Sequence, residues 1–331
     1  MSTYWDVGEG LKVIAIAGVM CTLAHFRRTK SSMLIVDHPA FGYLSENILC
    51  MGIAYFVDNH LPTVDENRII YSFLITLLRG FFMVNSGLLF EQLSATILYS
   101  HVPYFSQNKP VPDIWTILND YARCNLVVDL MNSVIQVGIL LHLSDDDREW
   151  IVKNPAPLCV STYMLKFAIS RVTVDIVFGL VHRFMHQNKW VYQNIHRLHH
   201  EHTTPRTQTN LHFMWLDQFI EAVFPIYVSF GVLGMIGLMP TRYEQTLLVM
   251  TLVYYESASH TGKEIPIVTW FPYLSPFVDW ISGCDQRLIE YHTRHHQLYR
   301  CNYSISPWWD KFVGTYRMDL PEEYDKQESF E

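Results

Sequence analysis

The chain has 331 residues, with 24 lysines and arginines against 32 aspartates and glutamates, for a formal charge of −8. That balance argues against nucleic-acid binding, because neutralising phosphates needs a net cationic face. Only 17% of residues are charged while 50% are hydrophobic and 14% aromatic, which excludes an extensively water-exposed chain, since soluble domains carry about 25% charge.

Apolar runs organise the sequence from the start. Val13 to Phe26 is uncharged and is followed by Arg27, Arg28 and Lys30, a pattern that predicts a membrane segment with its positive flank in the cytosol. Ile69 to Phe90 is broken only by Arg79, and Asn125 to Leu143 only by Asp129. Pro157 to Val181 holds Lys166, Arg171 and Asp175, Ala222 to Thr241 is uncharged, and Thr246 to Tyr255 is a shorter apolar run. A spanning helix needs about 20 apolar residues, so the expected fold is an all-α polytopic membrane protein with four to six membrane helices and a cytosolic, histidine-rich helical cap. Residues 102–113 and 144–157 are polar or Pro-punctuated connections, and 321–331 is an acidic tail. The six cysteines (Cys21, Cys50, Cys124, Cys159, Cys284, Cys301) contain no CxxC pair, so zinc ribbons and thioredoxin-like redox sites are poorly supported.

Histidine is the unevenly distributed residue. Of 16, five lie in 1–181, eleven in 182–296 and none beyond. Three clusters stand out: His182-Arg-Phe-Met-His186, His196-Arg-Leu-His199-His200 and His292-Thr-Arg-His295-His296. On a helix, positions i, i+3 and i+4 share a face, so each cluster aims its imidazoles in one direction. Packed imidazolium groups would repel one another, and imidazole is the commonest metal ligand, so eight box nitrogens from three segments predict a site for two metal ions. The ligand type suits iron, copper, zinc or nickel without choosing among them. A zinc transporter or sensor is the competing reading, but it predicts histidines at mid-membrane, whereas these sit at polar, Arg-rich helix ends.

The three boxes, in this order and with a long gap before the last, resemble those of the fatty acid hydroxylase/sterol desaturase superfamily of membrane non-haem di-iron oxygenases. The similarity continues through Ile195–His202 with Pro205, Ser259-His260-Thr-Gly262 with Pro266, and Asn302-Tyr303 followed by Trp309-Asp310 and Gly314-Thr315. It covers roughly 160–318 and divides the chain into N-terminal membrane helices, 1–159, and a catalytic domain, 160–331. The sequence departs from the family where a His-Pro-x-Glu element would follow the second box. This chain has Met214-Trp-Leu-Asp217 there, with His212 two residues earlier. At a further histidine position of some members it has Glu256.

The resemblance implies two iron ions held by His182, His186, His196, His199, His200, His292, His295 and His296, with His260 as a ninth ligand. Asp175, His202, His212, Asp217 and Glu256 are expected auxiliary residues. Asp175 suits either a carboxylate holding a ligand's N–H or an ion pair with Arg171 at i−4. The implied reaction uses dioxygen to hydroxylate or desaturate a lipid from the bilayer. A sterol is favoured, and a sphingoid base or fatty acyl chain is the alternative. With no G-x-G-x-x-G fingerprint in the chain, electrons are expected from cytochrome b5 and its NAD(P)H reductase. The resemblance places the protein in the endoplasmic reticulum membrane with its boxes facing the cytosol. Two further matches are discounted: His142 to Asp147 as an acyltransferase HxxxxD, and the sequon Asn302-Tyr-Ser304, expected to stay unmodified.

Overall fold

The computed structural model describes residues 52–57, 69–105, 114–142, 159–265 and 287–319, and these contain helices and turns with no strand. The Val13–Phe26 run, Cys21, Cys50, Cys284, Asp147, Pro266 and the acidic tail lie outside the described residues. The principal helices are α1 (Ile69–Leu93), α2 (Ile114–Arg123), α3 (Asn125–His142), α4 (Val160–Gln187), α5 (Trp215–Met235, with a π turn at Phe219–Val223), α6 (Arg242–Ser259), α7 (Leu288–Leu298) and α8 (Pro307–Val313). A further π turn, Ser94–Leu98, extends α1.

Two of these runs, Ile69–Leu98 and Trp215–Met235, are long and apolar enough to cross a membrane. Their sidedness inverts the soluble pattern. On α1 the buried residues include Ser72, Thr76, Gly80, Gly87 and Glu91, while Ile70, Leu74, Phe81 and Leu89 are exposed. Small residues inside let helix backbones approach, and large apolar ones outside suit lipid. α3 and α6 pack on α1, and α4 packs on the C-terminal part of α5.

The core lies where α4, α6 and α7 meet, with Tyr163, Phe167, Leu247, Met250, Tyr254 and Ile289 buried. α6 begins with a capping box: Thr241 Oγ1 accepts from Glu244 N, and the Glu244 carboxylate accepts from Thr241 N. Glu244 is also paired with Lys166 of α4 at 2.6 Å, which ties the two helix starts together.

The C-terminal segment is anchored by one carboxylate. Asp310 accepts from Tyr303 N (2.9 Å), Ser304 N (2.6 Å), Thr315 Oγ1 and Tyr291 Oη. Asn302, in the left-handed region at φ 55°, donates to Tyr291 O at 3.0 Å and accepts from Arg317 N at 2.7 Å. The sequon asparagine is therefore fully buried and internally bonded. Gly179 of α4 faces Trp309, whose Cδ1 would lie 2.6 Å from an added Cβ, so glycine is what lets α8 close on α4.

Removing the Asp310 carboxylate strands several buried donors at about 1–3 kcal/mol each. Asp310→Ala is expected to lower the thermal midpoint by more than 5 °C, measured by intrinsic fluorescence in detergent, whereas Lys311→Ala, which alters an exposed side chain on the same helix, leaves it within 1–2 °C.

Candidate metal centre

Four parts of the fold supply the histidines. His182 and His186 project from the last turns of α4, with Nε2 atoms 3.2 Å apart. The second box is not one helix face: His196 ends a π turn, Tyr192–His196, and His199 and His200 lie in a 3-10 turn, His199–Glu201. His260 caps α6, and His292, His295 and His296 lie on α7.

These nine side chains gather into two adjoining groups. His182, His186, His196, His200 and His295 form one, and His199, His260, His292 and His296 the other. Both HxxHH boxes are split. The i,i+4 pairs His196/His200 and His292/His296 stay together, while His199 and His295 cross to the opposite group. His200 and His296, one from each group, have ring centroids 4.7 Å apart.

The atoms that face one another are all Nε2. In the first group His196 lies 3.1 Å from His182, 3.0 Å from His186 and 2.9 Å from His200, and His295 lies 3.1 Å from His200. In the second, His260 is 3.3 Å from His199 and 2.9 Å from His292, which is 3.1 Å from His296.

The opposite ring nitrogens set the tautomers. His182 Nδ1 donates to Tyr303 O (2.7 Å), His295 Nδ1 to Cys301 O (2.7 Å) and His260 Nδ1 to Glu256 O (2.8 Å). His196 Nδ1 donates to the Asp217 carboxylate at 3.0 and 3.1 Å. A neutral imidazole that donates from Nδ1 carries a lone pair on Nε2, so lone pairs converge where a cation is needed to hold them. At a metal–nitrogen bond of about 2.1 Å, neighbouring ligand atoms lie about 3.0 Å apart at a right angle and about 3.4 Å apart tetrahedrally. The spacings seen match that range, so the residues fit a pair of transition-metal ions.

Burial reinforces the neutral state. His199, His200, His292 and His296 are held well below the ordinary histidine value, first by desolvation and then by their neighbours. His260 falls to about 4 and His295 to about 3, again mainly through desolvation, opposed by the carbonyl each one bonds. The Phe213 ring stacks on His199 at 3.8 Å and helps exclude water.

The auxiliary residues separate. Asp217 bonds His196, and Glu256 has Oε1 3.6 Å from His260 Nδ1. Asp175 does not reach a box histidine: it pairs with Arg171 at 3.3 Å and accepts from Trp308 Nε1 at 2.9 Å, so of its two expected roles the structure forms the ion pair. His202 bonds Thr209 and stacks on His212, which bonds Asp120 at 2.8 Å, so neither joins a cluster. His142 bonds its own helix at Gly138 O.

One residue escaped the sequence reading. Glu221, four after Asp217 on α5, is buried with Oε1 3.4 Å from His196 Nδ1 and 3.5 Å from His182 Nε2, and this oxygen has no hydrogen-bond partner. The available signal was a carboxylate on an apolar helix one turn from Asp217, which marks a functional position by default.

An inner cavity of about 80 Å³ lies beside the groups, walled by Phe178, Phe213, Glu221 and Glu256. Gln218, Ala222, Ile226 and Val253 also line a larger cavity of about 530 Å³ between α1, α3, α5 and α6, so the two adjoin.

Among the described residues these features define a helical protein in which two adjoining imidazole groups lie beside a cavity. Residues 167–315 match the fatty acid hydroxylase family model, so this stretch is similar to the fatty acid hydroxylase/sterol desaturase superfamily. A methylsterol monooxygenase of Arabidopsis thaliana is 27% identical over 233 residues, 70% of this chain and 69% of the relative. A sphinganine C4-monooxygenase of the same plant is 28% identical over 206 residues, 61% and 71%. A very-long-chain aldehyde decarbonylase of Oryza sativa subsp. indica is 27% identical over 193 residues, 56% and 67%. No solved structure matches the chain.

Two outcomes are expected. Asp217→Asn weakens the orientation of His196 and lowers metal affinity 10–100-fold, read by competition with a chelator. The metal-free protein loses stability as pH falls: the unfolded histidines protonate near 6.5, whereas His260 and His295 resist to about 4 and about 3. Unfolding midpoints in urea should therefore drop from pH 7 to pH 4, and metal loading should raise the midpoint more at pH 7 than at pH 4, because protons compete for the same imidazoles.

Proposed function

We propose that this protein is a membrane-embedded di-iron oxidase that uses dioxygen to hydroxylate or desaturate a lipid. A sterol is the preferred substrate, and a sphingoid base or fatty acyl chain the alternative. The observation that carries the reading is the convergence of Nε2 lone pairs in two groups of five and four imidazoles beside a cavity enclosed by apolar helices. Relatives named for methylsterol and sphinganine oxidation support a lipid substrate. The buried, closed character of both groups favours a catalytic centre over a transport path, where ligands would line a pore.

The first group of histidines would hold one iron and the second the other. When bound, a reduced iron pair supplies the dioxygen chemistry that removes hydrogen from an unactivated C–H bond. The chain's own residues do the rest. Phe178 and Phe213 exclude water from the inner cavity. Asp217 and the carbonyls of Tyr303, Cys301 and Glu256 hold the imidazoles in one tautomer. Glu221 and Glu256, the ionisable groups on the inner cavity wall, are placed to take and return protons. Within this reading residues 1–159 supply membrane helices and 160–331 the catalytic domain, with four to six spans in all. The protein resides in the endoplasmic reticulum with its histidines toward the cytosol, where cytochrome b5 and its reductase deliver electrons.

Purified protein in nanodiscs, loaded with iron, reduced anaerobically and then given oxygen and a lipid extract, should yield a lipid that gains one oxygen or loses two hydrogens by mass spectrometry. His199→Ala should cut product at least 100-fold. Absence of bound iron, or unchanged turnover in that variant, overturns the reading.

A further inference from the structure

α3 is an apolar helix with one polar stripe. Asn125, Asp129, Asn132 and Gln136 recur at intervals of four, three and four residues, which is one helix face, and all four line the cavity of about 530 Å³. Two are accounted for within the protein: Asn132 Oδ1 accepts from Tyr227 Oη at 2.7 Å, and Gln136 bonds the same tyrosine. The other two are not. Asn125 is 1% and Asp129 7% exposed, yet both polar atoms of Asn125 and Oδ2 of Asp129 lack a partner. Each such atom costs about 1–3 kcal/mol when left unmet, and a polar cluster retained at that cost in an apolar helix is functional by default. Gly80 on α1 leaves room beside the carboxylate, since an added Cβ would lie 3.0 Å from Asp129 Oδ1.

Their place along the cavity is set by Cys124, which precedes Asn125 and donates its thiol to Gln218 Oε1 at 2.8 Å. Gln218 adjoins Asp217 in the chain and lines both cavities. Asn125 therefore lies at the histidine-proximal end, Asp129 a turn further on, and Gln136 about 16 Å away along the axis.

We propose that Asn125 and Asp129 form a specificity subsite for a hydroxyl group of the lipid. A hydroxyl both donates and accepts: it donates to Asp129 Oδ2 and accepts from Asn125 Nδ2. Of the three unmet atoms the hydroxyl meets one acceptor and the one donor; a carboxylate would be repelled by Asp129, and an ammonium, having no lone pair, could reach only the acceptors. The subsite's position near the metal groups means that the oxidised carbon lies close to a hydroxyl the substrate already carries. This inference rests on the proposed reading of the cavity as the substrate's path.

The test is competition binding to metal-loaded protein in nanodiscs, with two matched series as probes: cholesterol against cholest-5-ene, and hexadecanol against hexadecane, hexadecanoic acid and hexadecylamine. In at least one series the alcohol is expected to bind tenfold or more tighter than every partner. Asn125→Leu and Asp129→Leu should abolish that preference while leaving hydrocarbon binding unchanged, and Asp129→Asn, which keeps an acceptor, should retain part of it. Equal binding of alcohol and hydrocarbon, a preference for acid or amine, an undiminished preference in both leucine variants, or no binding of any probe overturns the subsite. Turnover is read in parallel. Lipid oxidation without hydroxyl preference defeats the subsite alone, whereas hydroxyl-dependent binding without oxidation of any lipid defeats the proposed function alone.

Discussion

The structure depends on imidazole lone pairs being forced to face one another. Nε2 atoms lie 2.9–3.3 Å apart, and on His182, His196, His260 and His295 the Nδ1 proton is committed to a carbonyl or a carboxylate, so Nε2 of these four offers only a lone pair. Nine imidazoles gathered without a cation would leave lone pairs opposed in a buried space, at the cost that attends any unmet buried polar atom. Much of the surrounding architecture can be understood as maintaining that convergence. α4, the turns after it, the C-cap of α6 and α7 each contribute, and no single element holds a whole group.

The C-terminal segment shows how the tautomers are enforced. Asp310 gathers the backbone N–H groups of Tyr303 and Ser304, and Asn302 pins the same stretch to α7 and to Arg317. The carbonyls of Cys301 and Tyr303 are thereby fixed where His295 and His182 need acceptors, one on either side of Asn302. Asp310 and Thr315 thus act on the candidate metal centre without touching it, because they hold the segment whose carbonyls orient His182 and His295.

A second constraint shapes the membrane-facing part. α1 and α5 turn large apolar side chains outward and small or polar ones inward, so burial there is driven by packing and polar satisfaction rather than by hiding hydrophobes. The space between the helices is consequently a lined cavity with polar groups on its walls, adjoining the chamber beside the histidines. The low charge content and the histidine excess meet in one arrangement: apolar helices surround the cavity, and the imidazoles are gathered beside it.

The nine clustered histidines were legible because residue type and short spacing carry the chemistry, and the helical character followed from long apolar runs. The π and 3-10 turns of the second box were not legible, since spacing alone does not distinguish them from a regular helix. Nor was the crossing of His199 and His295 between groups, which depends on how α7 and the 199–201 turn approach one another. Asp175 shared a helix face with His182, yet Arg171 and Trp308 claim it, and Glu221 entered the site from α5 with no motif to announce it. The chain by itself determined which side chains offer lone pairs and which helices are apolar, because both are local properties. Only the tertiary structure decided which imidazoles share a group, which carboxylates reach them and which side chains line the cavity, because those depend on elements far apart in sequence packing at distances of a few ångströms.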